Sequence, residues 1–478
     1  MIKNMMFIDS AAWNFSLENF GPVWKNLVQI GLLLIALLLG YLLSRVIPFI
    51  KKSFIPSALL GGAILLAVHY IVKAATPNHY ELIDKSFMQV VTYHGLGIGF
   101  VAMTLKTNKE KKKTTGLKVL QNGAMTGGTY MLQAFLGLAI TLILCKLTQS
   151  AETQTFYASG VILPLGFGQG PGNALAWDIN YTNDYGALFQ GNGSFGLTIA
   201  SVGFIVSAFV GVIYINVFKR RKEIPDREQI IGKRDSEVFE SSNEMTDNES
   251  CDKMTVQIGL VALGYALSFG IMAGLGAISN FTNQLAWGFN FIWGVLAATI
   301  IKLLFKAFKK KGHMKREYIN NYQMDRISGF AFDIMIVAGV AAIDIENVRK
   351  YALPLILLCV IGTCATYFYV RFITKRVFKG YHHEMFLANF GMLTGTASNG
   401  MILLKEVDPN FETPVANLLV LAQLSGTLFV APLLLLLNFT AKSVNNSIIA
   451  MIIYFALFIA YTAFLLISNK KAKLKESN

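Results

Sequence analysis

Apolar residues in this chain come in blocks of roughly twenty, the length a helix needs to cross a hydrocarbon core, and nothing else in the sequence restricts the fold as strongly. The blocks fall near residues 27–47, 54–74, 86–105, 119–145, 195–218, 255–275, 286–306, 327–343, 349–370, 414–438 and 447–467. They predict an all-α polytopic membrane protein. The composition agrees: 54% of the 478 residues are hydrophobic and 15% charged, whereas a soluble chain of this length carries more charge. The first block, Leu27 to Val46, follows no short apolar core with a small-residue cleavage site, so it reads as a retained helix.

The formal net charge of +14 does not point to nucleic acid, because the basic residues cluster at block ends, as topology signals do. If the N-terminus lies outside and each span crosses once, the clusters KKS (51–53), KTNKEKKK (106–113), KRRK (219–222), KAFKKKGHMKRE (306–317), RFITKRVFKG (371–380) and KKAKLK (470–475) all fall inside. The C-terminus is then cytoplasmic. The alternate loops at 75–84, 146–156, 277–286, 344–350 and 439–446 carry few lysines or arginines.

Two segments remain outside the spans, about 157–190 and 385–410, both partly apolar and rich in Gly, Asn, Ser and Thr. Each follows four spans and precedes a fifth. An odd number of spans per half inverts the second half relative to the first, so the layout predicts two inverted-topology repeats of five transmembrane helices. Each repeat carries a re-entrant Gly-rich segment, and one extra helix follows at the C-terminus. The expected organisation is an extracellular segment (1–26), a first repeat (27–218), a polar cytoplasmic linker (219–254), a second repeat (255–438), and an extra span with a basic tail (439–478). Paired helix-breaking segments in an inverted repeat are the sequence pointer to a secondary transporter.

The two segments suggest a site. In GFGQGPGNA (166–174), Pro171 fits the first turn of a new helix, expected to run from about Gly172 to Ile179. Its N-terminus would present free N–H groups to an anion, while unwound carbonyls and the side-chain oxygens of Gln169 and Asn173 suit a small hard cation. FGMLTGTASNG (390–400) repeats the theme. The candidate substrate-binding residues are Gly168, Gln169, Gly170, Gly172, Asn173, Gly395, Thr396, Ser398 and Asn399. The candidate sodium ligands are Gln169, Asn173, Thr394, Thr396 and Asp333.

Other polar residues inside spans have competing readings. Asp333 is a cation ligand or proton carrier, or else it reaches water or pairs with Arg326. Gln133 reads first as a bridge between helices, and His94 as a packing histidine that is alternatively a proton site. Trp177 and Asp178 are open between an interfacial anchor with a helix-end charge and a functional role. Gly61–Gly62 and Gly127–Gly128 read as close helix packing. The four cysteines have no metal-ligand spacing and no catalytic constellation is evident, so an enzyme is not expected.

IPSALLGG (55–62), TLK (104–106), LQAFLG (132–137), GQGPGNALAW (168–177), IPDREQ (224–229), YALPL (351–355) and FGMLTG (390–395) occur in an order that resembles the bacterial sodium/glutamate symporter family over about residues 25–438. The chain departs from the family pattern at Gln169 and Pro171, which stand where His and Thr are typical. The resemblance implies two inverted five-span domains, sodium as coupling ion with no organic cofactor, a homodimer, and a multi-pass location in the bacterial inner membrane. The expected function is sodium-coupled symport of glutamate or a related small anionic amino acid or carboxylate by alternating access. The alternative is a cation/proton antiporter using an intramembrane Asp or His. The partners expected are the anionic substrate, sodium ions and the lipid bilayer, with no nucleic acid.

Overall fold

A computed structural model describes residues 21–48, 50, 55–76, 81–106, 116–148, 155–224, 252–312, 314, 316–408 and 412–476. The expected segment 1–26 and linker 219–254 lie largely outside them. The helices run α1 (Gly21–Val46), α2 (Ser57–Ala75), α3 (Lys85–Leu105) and α4 (Gly116–Leu147). A tight run follows, made of Ser159–Val161, Ile162–Pro164 and Leu165–Gln169, then α5 (Pro171–Tyr185) and α6 (Ser194–Arg220). Next come α7 (Lys253–Gly276), α8 (Asn280–Gly288), α9 (Asn290–Lys310) and α10 (Asn321–Ala341). The chain continues through α11 (Ile345–Lys350), α12 (Ala352–Val377), α13 (His382–Thr394), α14 (Ala397–Lys405), α15 (Val415–Ala441) and α16 (Val444–Glu476).

A helix stands at each of the eleven expected spans, though α10 and α15 are not among those that qualify by length and apolarity. Among the described residues, nine helices are long and apolar enough to cross a membrane. Two short helices, α8 and α11, occupy stretches expected to be loops; the one before α9 ends at Phe289, where φ −127° and ψ 46° break the helical path.

The helices form two compact units, and each takes members from both halves of the sequence. The first holds α1–α3 and α7–α10. Its core packs Val101, Ala102 and Leu105 of α3 against Val261, Ala298, Ile301, Met324 and Ile327. Helices α1 and α2 cross at Gly40 and Gly61, where a side chain on either would strike the other's backbone, the close approach that small residues permit in membranes.

Side-chain amides fix the turns of this unit. Gln29 of α1 donates to Leu82 O (3.1 Å) and accepts from Asp84 N (3.1 Å), while buried His69 of α2 accepts from Ile83 N (3.2 Å). Gln257 of α7 does the same for the chain before α10, donating to Tyr318 O (2.7 Å) and accepting from Asn320 N (3.0 Å). At the other end of α3, the Lys302 ammonium donates to Thr104 O (2.9 Å) and Lys106 O (2.8 Å), placing a cation on a helix C-terminus.

The second unit holds α4, the tight run, α5, α6 and α11–α16. Its centre is α4, buried on every face from Gln121 to Met131. Asn122 donates to Leu418 O of α15 (2.9 Å), and Gln121 to Ser468 Oγ of α16 (3.0 Å). The Gly128 position lies against the Tyr369 hydroxyl of α12, which pairs with Thr462 of α16 at 3.0 Å. The additional C-terminal helix is therefore built into the packing of α4 and α12. Both interrupted stretches belong to this unit.

Asp84 tests the first unit in solution. It caps α3, accepting from Phe87 N (3.1 Å), and Lys25 Nζ lies 2.6 Å away. The Lys25 hydrogen bond and then the backbone N–H groups hold its carboxyl below the usual value of 3.8 despite opposing desolvation. Stability from the charged form is therefore complete above the unfolded pKa and lost as pH falls through the lowered folded value. Asp84→Ala is expected to lower stability by about 1 kcal/mol at neutral pH, the usual size of a lost N-cap. In thermal unfolding across a pH series, the gap between wild type and variant should narrow as the medium becomes more acid than the ordinary carboxylate range.

Candidate functional site

In lipid, a backbone N–H or C=O without a partner costs several kcal/mol, so two broken helices inside a membrane protein need a protein shell. The second unit provides one. Residues 155–167 are buried throughout, as are 170–178 and 383–395.

The first break begins with the tight run. Its 3-10, α and π turns change pitch in succession and stop at Gly170, where φ is +84° and ψ −177°. That left-handed φ suits glycine alone. Pro171 then opens α5, its missing N–H falling where a helix has no use for one. The expected helix from Gly172 to Ile179 is longer than expected and reaches Tyr185. Pro171 starts it as the sequence predicts.

Helix α4 approaches this run backbone to backbone. A Cβ on Gly137 would overlap the Gly160 carbonyl, and a Cβ on Gly160 would overlap Gly137. One turn before Gly137 in α4, Gln133 is fully buried, and one turn before that the Tyr130 ring lies against Gly168.

The second break is made by α13, Gly395, Thr396 and α14. Thr394 turns its hydroxyl back onto Phe390 O (2.7 Å), and Thr396 donates to Asn399 Oδ1 (3.1 Å). Gly203 of α6 is where the two breaks press together: a Cβ there would strike Thr394 O and lie 3.1 Å from the Phe167 ring. A Cβ on Gly170 would meet Thr396 Cγ2 at 3.6 Å. The tips of the two interrupted segments thus lie side by side.

What meets at that contact is electrostatically directed. Both α5, with 15 residues, and α14, with 9, begin there. No side chain among the described residues caps either start. The N–H groups of Gly172 and Asn173, and of Ala397, Ser398 and Asn399, have no carbonyl partner within their own helices. Each N-terminus carries about half a positive charge, so the pair suits an anion. The helices entering the breaks end in carbonyls, which suit a cation.

The candidate residues sort accordingly. Gly170, Gly172, Asn173, Gly395, Thr396 and Asn399 gather at the two tips, with half-buried Gly168 and Gln169 beside them. Asn173 spends its amide on Gln169 Oε1 (3.0 Å). The side chain of Ser398 lies outside the described residues. Asp333 belongs to the other unit, on α10. Arg326 donates to the Tyr322 hydroxyl (2.7 Å) and stacks over its ring rather than pairing with Asp333. His94, also of that unit, is bonded to the Tyr265 hydroxyl at 2.6 Å.

Trp177 and Asp178 resolve as interior groups. Trp177 is fully buried, and Asp178 accepts from Gly196 N (2.8 Å) and faces the N–H groups of Gly193 and Phe195. It ties α5 to the N-terminus of α6. Asp408, just beyond α14, does the equivalent for α15 by accepting from Glu412 N (2.8 Å) and Thr413 N (2.9 Å). Neither Asp408 nor Tyr130 stands out in the sequence.

The backbone contact between α4 and the tight run sets a measurable limit. Gly137→Ala is expected to lower stability by roughly 1–3 kcal/mol, as overpacking does when no flexible side chain can yield. Thermal unfolding of the purified protein should show this, whereas Gly31→Ala, in open space, should change it little.

The chain matches the sodium/glutamate symporter family over residues 25–413, a range that contains both breaks and every helix from α2 to α14. No curated protein matches it. Such a match over most of the chain makes this a membrane transporter coupled to sodium, and the chain belongs to the sodium/glutamate symporter family.

Proposed function

We propose that the protein carries glutamate, or a related small anionic amino acid or carboxylate, into a bacterial cell together with sodium by alternating access. The observation that supports this most is the close approach of two helix N-termini without a side-chain cap, at buried Gly170 and half-buried Thr396. Half-helix N-termini directed at an anion, beside unwound carbonyls for a cation, are the arrangement of secondary transporters.

In this reading the interrupted segments are re-entrant, one from each face of the inner membrane, in two inverted five-span repeats. The N-terminus is outside, the C-terminus is cytoplasmic and the protein is a homodimer. The N–H groups of Gly172, Asn173, Ala397, Ser398 and Asn399 hold the substrate carboxylate, and the Thr396 hydroxyl orients it. Oxygens of Gln169, Asn173, Thr394 and Thr396 face sodium, whose charge offsets that of the substrate. A monoanion entering a negative-inside cell alone works against about 2.3 kcal/mol per 100 mV. One sodium ion makes the step electroneutral, and further ions let the potential drive it.

Proteoliposomes containing the purified protein provide the test. Glutamate uptake should rise with an inward sodium gradient and collapse when choline replaces sodium. Uptake indifferent to that gradient would reject the reading. Cation exchange driven by a pH gradient without any organic substrate would favour an antiporter built on Asp333 or His94.

A further inference from the structure

Gln133 holds three groups of the second unit in one chain of hydrogen bonds. Its Nε2 donates to Thr366 Oγ1 of α12 (2.8 Å) and to Leu393 O of α13 (3.2 Å), and the Thr366 hydroxyl donates onward to Gly362 O (2.7 Å). Both amide hydrogens are therefore committed. Because Leu393 O is a backbone acceptor, the atom facing it must be nitrogen, so the atom on the other side of the amide is oxygen. That oxygen, Oε1, is buried and has no hydrogen-bond partner among the described residues. The residue as a whole is fully buried.

Asn389 repeats the pattern one helical turn before Leu393. Its Nδ2 donates to Met385 O (3.0 Å), which fixes the amide in the same way, and its Oδ1 is likewise buried without a partner among the described residues. The two groups are neutral carbonyl oxygens with no hydrogen to donate, held in fixed orientation beside the second break. Hard cations are bound by such oxygens.

We infer that Gln133 Oε1, with Asn389 Oδ1, ligates the coupling alkali cation. The inference rests on the sodium-coupled reading above and adds two ligands to the oxygens of the Gly-rich tips. It also supplies a route for coupling. The amide that ligates the ion grips Leu393 O, and three residues later Thr396 opens the helix that faces the anion. An ion on Oε1 thus orders the tip that receives the substrate. By reciprocity, substrate must tighten the ion by the same factor.

The test measures radiolabelled sodium binding to the purified full-length protein, with and without glutamate, separately from uptake. Gln133→Met keeps the side-chain length but removes the oxygen, and should weaken sodium binding by about tenfold or more and flatten its dependence on glutamate. Asn389→Leu should weaken it in the same direction. Gln133→Glu keeps an oxygen but must hold a proton to donate to Leu393 O, so it should retain sodium binding and strengthen it only at higher pH; Asn389→Leu keeps the test decisive if the methionine variant does not fold. Sodium binding at wild-type strength in folded Gln133→Met and Asn389→Leu would overturn the inference. So would a change confined to glutamate affinity, since the oxygen would then face the substrate's ammonium. Absence of uptake by a wild-type protein that binds sodium through Gln133 would reject only the transport reading.

Discussion

Unpaired backbone cannot be left facing hydrocarbon, and the second unit is arranged around that constraint. Its two interrupted stretches break at Gly170 and at Gly395–Thr396. The breaks persist because α4 lies against the tight run with no side chain between Gly137 and Gly160. Phe167 is fully buried, and every residue of α13 beyond His382 is shielded. Burial of this kind lets a transporter display main-chain dipoles to a ligand. The same dipoles exposed to lipid would unravel the segment or drive it to pair elsewhere.

Much of this was legible in the sequence because a bilayer simplifies the reading. The requirement for long apolar blocks placed the nine helices long and apolar enough to cross a membrane among the described residues, and the glycines with Pro171 announced the first break at the correct residue. The assembly was harder to read. Each compact unit takes helices from both halves of the chain, a grouping that apolar periodicity cannot reveal because helices of either unit look alike to lipid. The end of α5 was missed because Asn180, Thr182 and Asp184 look like loop residues, although the buried carboxylate of Asp178 and the packing of Tyr181 extend the helix to Tyr185.

The candidate site residues divide in a similar way. Gly170, Asn173 and Thr396 could be named from local chemistry, since glycine and proline have meanings that do not depend on distant partners. Gln133 was visible only as an amide in an apolar span. What makes it informative is the pair of acceptors that fix its orientation, Thr366 and Leu393, which lie 233 and 260 residues away. No short motif encodes such a relation. Asp178 was likewise ambiguous until the backbone of α6 was seen to close over it.

The two buried aspartates have a consequence for how such a protein can diversify. Asp178 and Asp408 each fasten the arm behind a break through main-chain N–H groups, at Gly196 in the first turn of α6 and at Glu412 and Thr413 in the connection leading into α15. Neither anchor draws on the residues of the tips themselves. Each half therefore behaves as a cartridge with its own local fastening, whose tip can drift in sequence while the seating is preserved. Under the proposed function, a lineage that exchanges one anion for another need only rewrite Gln169, Asn173, Thr396 and their immediate neighbours. Substrate choice can then change faster than architecture.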